Sequence, residues 1–297
     1  MYRACSIAAV LALAAGYPAV SDFEQGRRVD LEAADCSAIN QMFGDYEVAR
    51  ATQHTTVPVT VGTLEVRPDF NGGVRIEHGP GGIYGITACI GAGAATRAEA
   101  QAAADSIRLE IDGNRVRVRD DGVARSRVRS WSVQLIVTAP DGASLVAETS
   151  NGPVGASDFT GTLDLRASNG PISLRGVAGD VKARASNGPI SVHGSRGEFD
   201  VETSNGPIDV TLEGRRWDGH LTARASNGPL TVNVPSDYQS GVEVSSSAHS
   251  PWSCRASACR TGNRDWDDDR SRTLRIGPTP VVVHLSTVNG PVTVRDR

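Results

Sequence analysis

The residues best suited to chemistry lie in one stretch near the C-terminus, at about 245–280. It holds Trp252 and Trp266 and an acidic run, flanked by arginines, that contributes Asp265, Asp267, Asp268 and Asp269. Exposed tryptophan is typical of a surface that contacts sugars or proteins. The carboxylates could instead bind calcium, but their spacing lacks the EF-hand pattern and its final Glu. We therefore predict a binding loop. The alternative is that both indole rings pack on the flank of the fold and the charges only solvate the loop.

Three other acidic residues, Asp164, Asp180 and Asp200, are the remaining candidates for catalysis. A polysaccharide lyase or hydrolase needs clustered acids in a cleft. These three carboxylates occupy different positions along their strands and are interleaved with Arg and Lys, so a charged surface explains them better. The six histidines are scattered without paired spacing. The sequence therefore predicts no catalytic residue, no cofactor and no metal site, with a carbohydrate-active enzyme as the alternative.

The N-terminus has the pattern of a secretory signal. Arg3 precedes a short apolar run over 7–15, and small residues follow it up to Ser21. The run is too short to span a membrane. We predict a signal peptide at 1–21, an N-terminal segment at 22–60, a periplasmic or secreted location, and no transmembrane span in the mature chain.

Four cysteines remain once the predicted signal is set aside. An even number of cysteines in an oxidising compartment indicates disulfides, and four allow three pairings. The short separation of Cys254 and Cys259 favours a local bridge, which leaves Cys36 to pair with Cys89. A zinc site is a poor alternative because no histidine lies at ligand spacing.

The elements that must position these residues are set by a repeated tetrapeptide, Ser-Asn-Gly-Pro. It occurs five times, and a variant with Val in place of Ser follows near the C-terminus. The corner asparagines are Asn151, Asn169, Asn187, Asn205, Asn227 and Asn289. Gly, Pro, Ser and Asn are turn residues, so these positions predict structural corners whose asparagines stack in a column. A short fixed period indicates stacked units that bury their apolar residues against one another.

Apolar and polar residues alternate on both sides of each corner, which indicates short strands with one buried face. Leu163, Val181, Phe199 and Leu221 hold equivalent inward positions in successive units. We therefore predict an all-β fold, a single-stranded β-solenoid or β-helix at 61–297, with a right-handed coil favoured and the 245–280 loop as an insertion. The four side chains should share one interior.

One helix interrupts the strand pattern. Thr96 to Ser106 is rich in alanine, with Thr96 as the N-cap and Glu99 completing a capping box. We predict a short N-terminal α-helix that lies against the stack or covers its end.

The charge pattern excludes some functions. The formal net charge is −4, and outward charges alternate in sign between units. Nucleic-acid binding would need a basic stripe with interleaved aromatics, which the sequence lacks. Ice binding would need ranks of Thr, but the outward column Ser173, Ser191, Asp209 and Thr231 is mixed.

The repeated corners, the Gly-x-Val-x-Ala strands and the segment Arg216-Trp217-Asp218-Gly219 resemble a large bacterial family of adhesin-like β-strand-repeat proteins. The resemblance covers about 60–297 and implies a right-handed β-helix-like fold and export. It brings no catalytic residue, cofactor or ligand. We therefore predict an exported, noncatalytic binding or scaffold protein of the cell envelope, whose partner is an unknown envelope protein or glycan.

Overall fold

The computed structural model describes residues 36, 39, 43–68, 72–120, 130–267 and 269–297. The predicted signal at 1–21, the first part of the predicted segment at 22–60, and Asp268 lie outside the described residues. Within the described ranges the fold is all-β and holds one α-helix of 10 residues, α1 (Arg97–Ser106). Two short 3-10 helices cover Val59–Val61 and Ser257–Arg260.

The strands form two large mixed sheets. In spatial order, the 11-stranded sheet consists of β1 (Glu47–Pro58), β4 (Ile83–Ala94), β7 (Ser130–Ala139), β3 (Gly72–His78), β9 (Val154–Ser157), β11 (Ile172–Arg175), β13 (Ile190–Gly194), β15 (Ile208–Leu212), β17 (Leu230–Val234), β23 (Val292–Asp296) and β19 (Trp252–Cys254). The 12-stranded sheet consists of β20 (Asn263–Asp267), β21 (Ser271–Ile276), β18 (Gly241–Ser247), β22 (Val281–Asn289), β16 (Asp218–Asn227), β14 (Arg196–Asn205), β12 (Ala178–Ala185), β10 (Thr160–Ala167), β8 (Ser144–Thr149), β2 (Leu64–Arg67), β6 (Arg115–Asp120) and β5 (Ile107–Asp112).

The repeats build the middle of both sheets. Each unit places the strand before its corner in the 12-stranded sheet and the strand after it in the 11-stranded sheet, and equivalent strands pair in parallel. Leu163, Val181, Phe199 and Leu221 are direct neighbours across β10, β12, β14 and β16. All four are buried in one continuous apolar core, which the alternation predicts because inward positions recur every second residue.

The predicted single-stranded, right-handed solenoid is wrong. The strands belong to two open mixed sheets whose ends do not follow the repeat: β1, β4 and β7 pair antiparallel, and so do β5 with β6 and β20 with β21. The physical reason is visible between β5 and β6, where two residues, Gly113 and Asn114, join the strands. Such a short connection forces an antiparallel hairpin, whereas parallel neighbours need a long crossover.

The glycine of each corner allows neighbouring corners to approach closely. A Cβ on Gly188 would lie 2.1 Å from the carbonyl oxygen of Gly170, and the same clash recurs at the other corners. Only glycine fits this column, because the backbones of adjacent levels touch there.

The 22-residue unit uses its extra residues to fill the core. Trp217 is buried, its Nε1 donates to the Gly197 carbonyl at 2.9 Å, and its ring meets Phe199 edge-on at 5.4 Å between centroids. The additional residues therefore add an aromatic contact without disturbing the parallel pairing of β14 with β16.

The N-terminal end of the two sheets is closed by α1. The Thr96 hydroxyl accepts from the Glu99 amide at 3.3 Å and donates to the Glu99 carboxylate at 3.0 Å, so Thr96 caps the helix as the sequence predicts. Ala100, Ala103 and Ala104 are buried, and the helix packs on β1, β4 and β5. Small side chains let the helix approach both sheet edges and cover the core.

Candidate functional site

The segment predicted as a binding loop forms the C-terminal end of the fold, and its strands are the last strands of both sheets. β19 is the edge of the 11-stranded sheet and β20 is the edge of the 12-stranded sheet. We call residues 252–276 the end cap. The end cap is therefore strand-rich and hydrogen-bonded to the core sheets, which gives its side chains fixed positions.

The two tryptophans of the end cap lie together but differ in burial. Trp252 packs partly buried against the core, and its Nε1 donates to the Ser246 hydroxyl at 2.6 Å. The Trp266 ring lies 6.3 Å from the Trp252 ring between centroids and is 47% exposed. Trp252 thus supports the interpretation in which indoles pack on the fold, whereas Trp266 offers a contact surface.

Arg272 fixes the position of Trp266. The two residues are opposite each other in the β20–β21 pair, and the guanidinium carbon lies 5.3 Å from the centroid of the indole ring. The guanidinium also donates to the Ser250 carbonyl at 3.2 Å. A cation over an aromatic ring face is attracted to it, so Arg272, Trp266 and Trp252 form one contiguous cluster in which the two indole planes are tilted by 45°.

The acidic residues do not converge with the tryptophans. Asp265 and Asp267 alternate with Trp266 along β20 and therefore point to the opposite face of the strand. The Asp269 amide donates to the Asp267 carboxylate at 3.0 Å, which stabilises the turn of the hairpin. In the described part of the chain, no group of three or more His, Cys, Asp or Glu side chains is placed to hold a metal ion.

Both disulfides favoured by the sequence are present. Cys254 pairs with Cys259 inside the end cap, and Cys36 pairs with Cys89 on β4. The first bridge ties the edge strand β19 to the 3-10 helix that follows it. The second bridge ties residue 36 to the outer face of the 11-stranded sheet, beside Ile136.

Sequence reasoning missed a group of arginines beside the Cys254–Cys259 bridge. Arg255, Arg260 and Arg264 line one groove with Asp296 of β23. The available signal was the recurrence of arginine within and just after the two cysteines. Local spacing gave no reason to place Arg264 in the same groove as Arg255, because that proximity depends on β20 returning beside the disulfide loop.

The corner asparagines form an amide ladder. Each Nδ2 donates to the Oδ1 of the preceding corner, at 3.0 Å for Asn169, Asn187 and Asn205, 3.1 Å for Asn227 and 2.9 Å for Asn289. The column runs over the surface along one edge of the repeats. Its hydrogen bonds are internal to the fold, which is the structural role that the corner pattern indicates.

Two of the three acids considered for catalysis are engaged in ion pairs, and the third, Asp180, is exposed on β12. Asp164 pairs with Arg166 at 2.6 Å, and Asp200 pairs with Arg184 at 3.2 Å and with Arg224 at 3.3 Å. These carboxylates lie on the outer face of the 12-stranded sheet among cations.

Comparisons with known proteins give no family match and only distant structural similarities. No protein-family profile and no curated protein matches the chain. Among solved structures, the chain is similar to a "putative cell adhesion protein" from Clostridium sporogenes (8% identity, TM-score 0.33, 84% of this chain and 100% of that chain). It is also similar to a "putative adhesin" from Bacteroides fragilis (10%, TM-score 0.25, 84% and 97%) and a "putative lipid binding protein" from Parabacteroides distasonis (9%, TM-score 0.32, 84% and 96%). At such low TM-scores these similarities carry no argument about this chain.

Across the described ranges, no helix combines the length and the apolar character needed to cross a membrane.

Proposed function

We propose that this chain is an exported, noncatalytic binding protein of the cell envelope, belonging to the adhesin-like β-strand-repeat family that its corners resemble. The observation that carries the proposal is the end cap: an exposed Trp266, in contact with Arg272 and Trp252, at one end of a continuous two-sheet core. Rigid aromatic side chains of this kind supply most of the energy of many binding surfaces.

Two further features support export and binding without catalysis. Two disulfides suit an oxidising compartment outside the cytoplasm, in agreement with the signal pattern at 1–21. The acids Asp164 and Asp200 are held as ion pairs, which suits a charged surface better than acid–base catalysis. The partner is an envelope protein or glycan that contacts the indole ring of Trp266.

The test compares Trp266→Ala with the wild type on a glycan array and in pull-downs from envelope preparations. We expect at least a roughly tenfold loss of binding, because truncating a central tryptophan removes a dominant contact. Tyr46→Ala is the matched control, since Tyr46 is also a large exposed side chain but lies outside the end cap. The double variant with Trp252→Ala is informative only with a folding check, because Trp252 packs on the core.

Two results would contradict the proposal. Unchanged binding by Trp266→Ala would remove the end cap as the contact surface. Turnover of a polysaccharide by the purified wild type would establish the enzyme alternative.

A further inference from the structure

The groove lined by Arg255, Arg260 and Arg264 belongs to the end cap and has a floor held by backbone hydrogen bonds. It has a volume of about 500 Å³ and lies between the Cys254–Cys259 loop and the C-terminal strand β23. The amides of Arg255 and Ala256 both donate to the Val294 carbonyl, at 2.8 and 3.3 Å. The disulfide closes the loop from the other side, so the walls of the groove are fixed by β23 and by covalent linkage.

The charge of the groove is positive and is not neutralised internally. Three guanidinium groups and one carboxylate line it, so its formal charge is +2. Asp296 is already engaged, because the Ser257 amide and hydroxyl both donate to it at 2.9 Å. Within the described ranges, the side chains of Arg255 and Arg260 make no ion pair or hydrogen bond.

The lack of ion pairs at Arg255 and Arg260 contrasts with arginines on the sheet faces that form them. There Arg184 and Arg224 share Asp200, and Arg275 pairs with Glu243 at 2.7 Å. The whole chain has a net charge of −4, so the groove is a local cationic site on an acidic protein. Guanidinium groups without partners bind carboxylates strongly, because their fork of N–H donors matches two oxygens.

Arg264 connects the groove to the cluster of Arg272, Trp266 and Trp252. It donates to the Cys259 carbonyl at 3.1 Å, which places it at the groove, and it shares a strand face with Trp266 two residues further on. Two such positions are about 7 Å apart along a strand. A ligand at this site therefore meets an indole ring and several guanidinium groups within a short distance.

We propose that the groove of Arg255, Arg260 and Arg264 binds the carboxylate of an acidic polysaccharide whose sugar ring contacts Trp266. A uronic-acid unit carries both features: an apolar ring face for the indole and a carboxylate for the guanidinium fork. The proposal names the partner class for the binding function inferred above and rests on that function.

The experiment measures binding of the purified full chain to polygalacturonate, neutral dextran and polyglutamate. The wild type should bind polygalacturonate, more weakly as salt is raised, and should bind the other two at least about tenfold more weakly. The variant Arg255→Gln with Arg260→Gln should lose about tenfold or more in affinity for polygalacturonate, because it removes charge-assisted hydrogen bonds. Neither side chain has an internal partner among the described residues, so the urea midpoint should stay unchanged.

The matched control is Arg50→Gln with Arg196→Gln, which removes the same charge from exposed positions on β1 and β14. It should bind polygalacturonate like the wild type. If the groove variant also binds like the wild type, or if the wild type has no affinity for polygalacturonate, the groove assignment is overturned. Equal affinity for polyglutamate would overturn the assignment to a glycan. In each case a loss of envelope binding by Trp266→Ala would still support the broader function.

Discussion

At the scale of single residues, the corner column shows why each repeat needs an asparagine followed by a glycine. An asparagine amide has a donor and an acceptor on one short side chain, so it can accept from one neighbour and donate to the next. Glycine allows the backbones to touch. The serine before them is not needed by the ladder, because Val288 replaces it in the last corner while Asn289 still donates to Asn227 at 2.9 Å.

Replacing Asn187 with Asp should break the ladder at its centre. Asn187 donates to Asn169 and accepts from Asn205, both at 3.0 Å. A carboxylate cannot donate a hydrogen bond, and its oxygen would face the side-chain amide oxygen (Oδ1) of Asn169. We expect a loss of about 1–2 kcal/mol in the free energy of unfolding, measured in urea.

Asn263→Asp is the control for this substitution. It introduces the same charge at an exposed strand position outside the ladder and should change stability by less than about 0.5 kcal/mol. Equal losses in the two variants would show that the added charge, and not the ladder, determines the effect.

At the scale of elements, the two sheets must be joined where the repeats end. β1 is the edge of one sheet and β5 is the edge of the other. Gln53 of β1 connects them: its Nε2 donates to the Ile107 carbonyl at 2.6 Å, and its Oε1 accepts from the Leu109 amide at 2.8 Å. The side chain therefore substitutes for a neighbouring strand and satisfies backbone groups on β5.

Gln53→Ala should loosen this junction. Two backbone groups of β5 lose their partner, so we expect about 1–3 kcal/mol of destabilisation and faster hydrogen exchange of the Leu109 amide. The control is Thr52→Ala, the next residue along β1, which points outward and is exposed. If the Leu109 amide exchanges equally fast in both variants, the side-chain bridge has no role in joining the sheets.

The elements also show what the sequence can and cannot predict. Strands, corners and α1 follow from local periods and caps, so they are readable from the chain. Sheet order at the ends is not, because the pairing of β1 with β4 joins strands without a repeat between them. The site divides in the same way. The tryptophans and the close cysteine pair are local features, whereas the arginine groove exists only after β20 returns beside the disulfide loop.

At the scale of the whole molecule, the chain is unusual in its basic residues. Of its 30 basic residues, 29 are arginine and a single one is lysine. Arginine stays charged at any pH that a folded protein tolerates, whereas lysine and tyrosine titrate near pH 10. The alkaline stability of this protein should therefore depend on its few tyrosines.

Two of these tyrosines have a raised pKa in the folded state. Burial raises the pKa of Tyr238 from 10.0 to about 12, and the nearby Ser240 hydroxyl offsets this only in part. The Tyr238 Oη makes no hydrogen bond of ordinary geometry among the described residues. Burial also raises the pKa of Tyr84, whose hydroxyl donates to the backbone carbonyls of Gly62 at 3.0 Å and Ser144 at 3.4 Å.

We expect the free energy of unfolding to fall as the pH rises from 10 to 12. In this window the unfolded chain releases the phenolic proton of Tyr238 while the folded chain retains it, so deprotonation favours unfolding. Below pH 10 the full contribution is present. Because the side chain is partly exposed, the effect of Tyr238 is about 1–2 kcal/mol, less than its pKa shift alone would give. Urea unfolding at pH 8 and pH 11 measures about half of this effect, because pH 11 lies midway through the window. Tyr238→Phe should reduce the loss, whereas Tyr46→Phe, at an exposed position, should leave it unchanged. An identical pH dependence in both variants would show that the burial of Tyr238 does not control alkaline unfolding.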